Sequence, residues 1–385
     1  MSLINYLTTV RFESGALEGL PDDMRELGIR SPLIVADAGL EKAGLIDRLR
    51  QVIPNGAEAP AFTGTPTNPT ESAVLAALDL YRSGGCDGLI AIGGGSPIDL
   101  AKGVALLSTH HGPLEDYAAI LGGIPKITAA VAPLIAIPTT AGTGSEVGRA
   151  ALITLYDGRK LGFISPFLIP RRAVCDPSLT LGLPPAMTAA TGMDAITHCV
   201  ETYLSPRYNP PADAIALDGL ERAIRNIERA VTHGDDASAR LEMMMAALEG
   251  GLTFQKGLGA VHALSHPLGG LKQVSLHHGT LNAVLLPLVL EFNEEQSKTK
   301  YDVLRQRLGM APGSNIATFF RDLNTRLDMP STLAEMGLPR DTLPGIAESA
   351  TKDHSSATNP RPASAGDYLT ILEAAYDGLS IQASS

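Results

Sequence analysis

Short apolar runs alternate with amphipathic ones through the first 180 residues. "SPLIVADAG" reads as a strand ending at Asp37, "EKAGLIDRLRQVI" as a helix, and "NPTESAVLAALDLYRSGG" as a helix entered after Pro69. "CDGLIAIGGGS" reads as a buried strand running into glycines, "PIDLAKGVALLST" as a helix with proline in its first turn, and "APLIAIPTTAGTGSE" as another buried strand and turn. Strands apolar at every position, each followed by a helix, predict a parallel sheet covered on both faces. After "AVCDPSLTLGLPP" the rhythm becomes helical, with long patterns over 185–204, 211–231, 236–270 and 279–297. The pattern therefore predicts two domains: an α/β domain with a parallel sheet over residues 1–180, and an all-α domain over 181–385.

Composition narrows the functional classes. A chain of 385 residues exceeds what one core usually organises. A formal charge of −11 leaves no basic face for a nucleic-acid backbone. The runs "ITAAVAPLIAIP" and "LNAVLLPLVLEF" are too short to span a bilayer and are broken by proline. The start lacks a basic region followed by an apolar core, so a cytoplasmic protein with no membrane partner is expected. The three cysteines form no CxxC pair, which suits structural thiols in a reducing compartment.

Glycine-rich turns carry the first candidate chemistry. "AIGGGSPIDLAK" puts Gly93, Gly94, Gly95 and Ser96 between a strand end and a helix start, where free N–H groups and the helix dipole favour a phosphate. "IPTTAGTGSE" leaves a second strand with hydroxyls at Thr139, Thr140, Thr143 and Ser145. Asp37, at a third strand end, either accepts from an adenosine ribose and favours NAD over NADP, or caps the following helix.

The helical half carries the second. Asp194 and His198 sit four apart in "GMDAITHCVE", as do His262 and His266 in "VHALSHPLGG", and "LHHGTLNA" adds His277 and His278. A carboxylate with several imidazoles suits a divalent first-row metal, Fe(II) or Zn(II). The glycines of "EGGLTFQKGLGAVHALSHPLGG" would let its helix pass close to its neighbours and to the cofactor, at about 1 kcal/mol each in helix propensity.

Taken in order, "GGGSPIDLAK", "PTTAGTGSEV", "DPSLTLGLPP", "GMDAITHCVE", "HALSHPLGG", "HHGTLNA" and "TNPR" make the chain resemble the iron-containing (group III) alcohol dehydrogenases along nearly its whole length. The resemblance implies a metal- and NAD-dependent oxidoreductase acting on a small alcohol or hydroxy acid, and a homo-oligomer, most simply a homodimer. It implies metal ligands Asp194, His198, His262 and His278, with His277 a rival because the stretch before the "HG" pair is two residues longer than in many members. Cofactor contacts implied by position are Asp37, Asn68, Gly94, Gly95, Ser96, Asp99, Thr139, Thr140, Thr143, Lys160 and Leu179, and His266 is a candidate proton relay.

Within the family, "DGRKLGF", "NPPADAIALDGLERA" and "FQKGLGAVHALSHPLGGLK" look most like the branch that interconverts 4-hydroxybutyrate and succinic semialdehyde. Dehydrogenases of simple alcohols or diols, and enzymes of the dehydroquinate synthase-like fold, are the alternatives. Lys256 is expected on the same continuous helix as His262, about two turns and ~9 Å earlier. It is either a carboxylate anchor for an ω-hydroxy acid or one half of an ion pair.

Overall fold

The computed structural model describes residues 8–271, 273, 274 and 276–381. The first seven residues, Lys272, Ser275 and the last four residues lie outside the described residues; they include the start read above for a leader and part of the lengthened "GGLKQVSLHHG" stretch. The chain divides into two compact units, one running up to Thr140 and over Gly144–Leu181, the other comprising Ala141–Thr143 and the chain from Gly182 onward.

The first unit is a parallel six-stranded sheet of β1 (Thr9–Phe12), β2 (Pro32–Val35), β3 (Ala61–Phe62), β4 (Gly88–Gly93), β5 (Leu134–Pro138) and β8 (Arg172–Cys175). Its order is β1-β8-β5-β4-β2-β3. Helices α1 (Leu20–Leu27), α2 (Ala38–Lys42), α3 (Leu45–Val52), α4 (Glu71–Ser83) and α5 (Gly95–Leu107) connect and cover it. Alternate residues feed two cores. Leu33, Val35, Leu89 and Ala91 pack with α4 and α5 residues such as Val74 and Val104, whereas Ile34, Ile90, Ile92, Ile135 and Ile137 pack with Leu20, Met24 and Leu49 from α1 and α3. Double-sided burial is why these strands read as unbroken apolar runs.

Several pieces, the two-residue β3 among them, were not expected from the pattern. β1 and β8 are four residues each, too short to show a period. A separate antiparallel hairpin joins β6 (Ala150–Thr154) to β7 (Lys160–Ile164), with Gly158 at φ 89° in its turn. The helix expected over 41–53 is also corrected: it splits into α2 and α3 at Gly44, which takes φ 72°.

The second unit contains α6 (Pro185–Leu204), α7 (Pro210–Thr232), α8 (Ala237–Leu252), α9 (Ala260–Gly269), α10 (His278–Asn293), α11 (Lys298–Arg307), α12 (Ile316–Arg326), α13 (Leu343–Ala350) and α14 (Ala365–Asp377). α6 is its axle and is buried from Thr188 to Leu204. Such burial leaves polar side chains needing partners, and Thr191, Thr197 and Thr202 turn their hydroxyls back to the carbonyls four residues before. Among the described residues no helix is long and apolar enough to cross a membrane.

The single helix expected over 236–270 is corrected. α8 ends at Leu252, Phe254–Lys256 form a 3-10 turn, and α9 starts only at Ala260. Gly257 makes the break with φ 91°, and a Cβ there would meet Thr358 Oγ1 at 2.4 Å.

Candidate metal centre and nucleotide turn

Four side chains from three helices converge inside the second unit. The i,i+4 spacing on α6 sets His198 Nε2 3.4 Å from Asp194 Oδ1. His262 Nε2, from α9, and His278 Nε2, from the first residue of α10, each lie 3.8 Å from the same oxygen. The ligand atoms of Asp194, His262 and His278 all lie within 4.8 Å of one another, close enough to share one cation, and His198 stands beside them through its contact with Asp194.

The groups behind the ligands fix which nitrogen faces inward. His198 Nδ1 donates to the Gly142 carbonyl at 3.2 Å, and His262 Nδ1 donates to Glu201 Oε2 at 2.6 Å. Spending Nδ1 in this way leaves the Nε2 lone pair for a metal. Asn282 Nδ2 reaches into the cluster, 2.7 Å from Asp194 Oδ1 and 3.3 Å from both His262 Nε2 and His278 Nε2. Its own Oδ1 is buried without a hydrogen-bond partner among the described residues. An electropositive N–H group thus sits among acceptor atoms, where a cation would be at home.

Electrostatics agree with the geometry. Burial works against ionising Asp194, but His198, His262 and His278 outweigh it and hold the carboxyl well below its usual range. Burial pushes His198 down to about 4, keeping it neutral. Burial also opposes a charge on His262, yet Asp194 and Glu201 raise it to about 9, so a proton competes there with any metal.

The first unit offers a different kind of site, built from backbone. β4 ends at Gly93, whose φ of 145° excludes other residues; a Cβ there would also run into Pro97 at 2.7 Å and Leu40 at 3.0 Å. Gly94 caps α5, Gly95 and Ser96 are its first two residues, and the N–H groups of that turn have no helical partner. Thr140, just past β5, lies 3.4 Å from where a Gly94 Cβ would be, so the second turn flanks the glycine cradle at contact distance. Thr139 is buried, and its N–H donates to the Gly93 carbonyl at 3.0 Å, tying the two turns together.

Asp37 caps α2, with Oδ1 accepting from Gly39 and Leu40 N–H at 2.8 and 3.1 Å; both bonds leave Oδ2 at the end of β2. β3 and β4 flank β2 on opposite sides, which makes this the place where strand order reverses and nucleotides bind in doubly wound sheets.

The family models agree. An iron-containing alcohol dehydrogenase model matches residues 8–177, and a model of the C-terminal part of the Fe-containing alcohol dehydrogenase family matches 188–376. The chain belongs to the iron-containing alcohol dehydrogenase family. It is 52% identical to 4-hydroxybutyrate dehydrogenase of Cupriavidus necator over 97% of this chain and 99% of that one. Identity to 1,3-propanediol dehydrogenase of Klebsiella pneumoniae is 35% over 95% and 96%. A crystal structure of 1,3-propanediol oxidoreductase superposes with TM-score 0.90 at 34% identity, covering 97% of this chain and all of that one. Sulfoacetaldehyde reductase of Bifidobacterium kashiwanohense, solved with NAD+, superposes at 0.86 with 25% identity, covering 97% and 99%.

Within this family member several expected residues are engaged with one another. Asp99 accepts from Ser145 Oγ at 2.6 Å and from Leu152 N–H at 2.9 Å, with buried Lys102 3.6 Å away, so its carboxylate ties α5 to the second turn and to β6. Lys160 Nζ donates to Asn68 Oδ1 at 2.9 Å. Ser96 Oγ donates to the Thr67 carbonyl. Leu179 is buried in the Pro177–Thr180 turn, and Thr143 groups with the helical unit. His277 Nδ1 lies 3.4 Å from Thr280 Oγ1 and is absent from the cluster that His278 joins.

His266 stacks on His278 with centroids 5.6 Å apart and donates Nδ1–H to Asp353 Oδ2 at 2.9 Å. Lys256 is fully buried, outside α9, and its ammonium pairs with Asp213 and donates to the Tyr203 carbonyl at 2.8 Å.

The residue missed from sequence is Glu201. Besides His262, its carboxylate accepts from Gly259 N–H at 3.0 Å and Val261 N–H at 2.7 Å, capping α9. Its signal was present: Asp194, His198 and Glu201 share one face of an otherwise apolar helix.

Proposed function

We propose that the chain is an NAD-dependent, iron-type dehydrogenase that interconverts 4-hydroxybutyrate and succinic semialdehyde. The observation that carries the dehydrogenase reading is the convergence of three imidazole nitrogens on Asp194 Oδ1; the 52% identity to the Cupriavidus necator enzyme supports the substrate. Asp194, His198, His262 and His278 hold the metal in this reading. Gly94, Gly95 and Ser96 present N–H groups to the pyrophosphate, and Asp37 Oδ2 accepts from the ribose. When bound, the metal polarises the substrate oxygen and lowers its pKa, and NAD accepts the hydride.

The protein's own residues supply position and proton handling. Glu201 and the Gly142 carbonyl keep Nε2 of His262 and His198 turned inward. His266 accepts the hydroxyl proton at Nε2 while Asp353 holds its Nδ1–H, so the ring stays oriented through the transfer. Lys256, with its ammonium committed to Asp213 and the carboxyl end of α6, serves the fold rather than the substrate. Family resemblance also supports a homodimer in the cytoplasm.

The test is NADH formation by iron-loaded protein against 4-hydroxybutyrate, 1-butanol, 1,3-propanediol and glycerol. The expected result is a kcat/KM for 4-hydroxybutyrate at least about tenfold above the others, a difference of about 1.4 kcal/mol in transition-state binding. Preference for the diol, which the 35% identical Klebsiella pneumoniae enzyme acts on by name, would replace the substrate and leave the family untouched.

A further inference from the structure

We propose that His266, Asp353 and His354 form a second binding site for a divalent cation of the zinc class, separate from the four-residue cluster and open to water. One ligand atom from each residue lies within 4.8 Å of the others. The residues come from two elements: His266 from α9, and Asp353 with His354 from the turn after α13. Asp353 stands between the imidazoles, with Oδ2 2.9 Å from His266 Nδ1 and Oδ1 3.6 Å from His354 Nδ1. The Ser355 N–H donates to Oδ1 at 2.8 Å and fixes the carboxylate in that position.

The ring geometry matches shared coordination. The two imidazoles are 5.6 Å apart between centroids. Two rings bound through nitrogen to one tetrahedral ion would be separated by roughly 5 Å. Two nitrogens and one carboxylate oxygen form a borderline donor set of the kind zinc accepts, with a fourth position left for water.

Exposure separates the two sites. The His262 side chain of the first cluster is 1% exposed, whereas that of His354 is 45% exposed. A cation on the outer triad therefore exchanges with solvent more readily. Binding there replaces the hydrogen bond between His266 and Asp353, and His266 is the ring stacked on His278. Excess cation should accordingly slow the enzyme by occupying the outer site.

The experiment is equilibrium dialysis of the full chain against Zn(II), with bound metal counted by mass spectrometry and activity read on the same samples. Wild type should bind two equivalents, and His354→Ala should lose one, together with inhibition by excess zinc. His354→Asp, which restores a ligand, should recover the second equivalent. His278→Ala should keep the outer equivalent while losing the inner one. Saturation of wild type at one equivalent, or two equivalents retained by folded His354→Ala, would overturn the proposal. Two equivalents retained by folded His278→Ala, with the second still lost in His354→Ala, would instead count against the metal ligands assigned under the proposed function.

Discussion

The two units build their candidate sites in opposite ways. In the α/β unit the turn after β4 works through what it lacks: glycines without side chains expose N–H groups at the start of α5. In the helical unit the candidate site is made of side chains, and those of Asp194, His198 and His262 are at most 4% exposed. Glu201 and Gly142 hold two of the imidazoles from behind. A site made of backbone is positioned once its strand and helix form. A site made of buried side chains needs a further layer of partners to aim it, and its sequence carries more polar residues than the ligands alone.

That contrast can be broken from either side. The largest effect is expected from Asp194→Ala, which removes the atom on which the imidazoles converge. Activity should fall on the order of a thousandfold, several kcal/mol of transition-state stabilisation, and iron content should fall with it while NAD binding, followed by fluorescence, persists. Loss of NAD binding as well would show that the sites are not separable.

Lys256→Met comes next. It leaves Asp213 without its ammonium and the Tyr203 carbonyl with Lys300 alone, and chemical denaturation should show a loss of about 2–3 kcal/mol, under the full cost of breaking a buried pair because Asp213 is 31% exposed. KM for 4-hydroxybutyrate should change no more than KM for 1-butanol; a selective rise would restore Lys256 as a carboxylate anchor.

Gly93→Val probes the backbone site. Forcing a side chain into φ 145° costs about 1–3 kcal/mol, so the Kd for NAD should rise ~10–100-fold with metal content unchanged.

The smallest effect concerns Glu146, buried beside Lys102 and raised to about 7 by burial. Because its folded pKa lies above that of an ordinary glutamate, the native state binds the extra proton, and that stability is lost as pH rises through about 7. Glu146→Gln should gain thermal stability relative to wild type between about pH 5 and pH 8. Parallel melting curves would contradict this assignment.

The parallel sheet was legible because β2, β4 and β5 are buried on both faces and read as continuous apolar runs. β1 and β8 were not, since four residues with an arginine in each show no period. The break between α8 and α9 was hidden for another reason. Gly257 looks like any helix glycine in the sequence, and only the structure shows that it takes φ 91° with Thr358, a hundred residues on, filling the space a side chain would need. The i,i+4 spacings of Asp194 with His198 on α6 and of His262 with His266 on α9 were local and therefore visible. Which histidine of the 277–278 pair enters the cluster depends on where α10 begins, and the partners Glu201 and Asp353 depend on tertiary placement.

Glu201 has a consequence for the order in which the protein is made ready. One carboxylate both starts α9 and orients a ring on its first turn, so the ligand acquires its aim from the same event that forms the helix. If this cluster holds the metal as proposed, loading would follow folding rather than drive it, and a chain made while the metal is scarce would wait as a competent receptacle instead of collapsing for want of its ion.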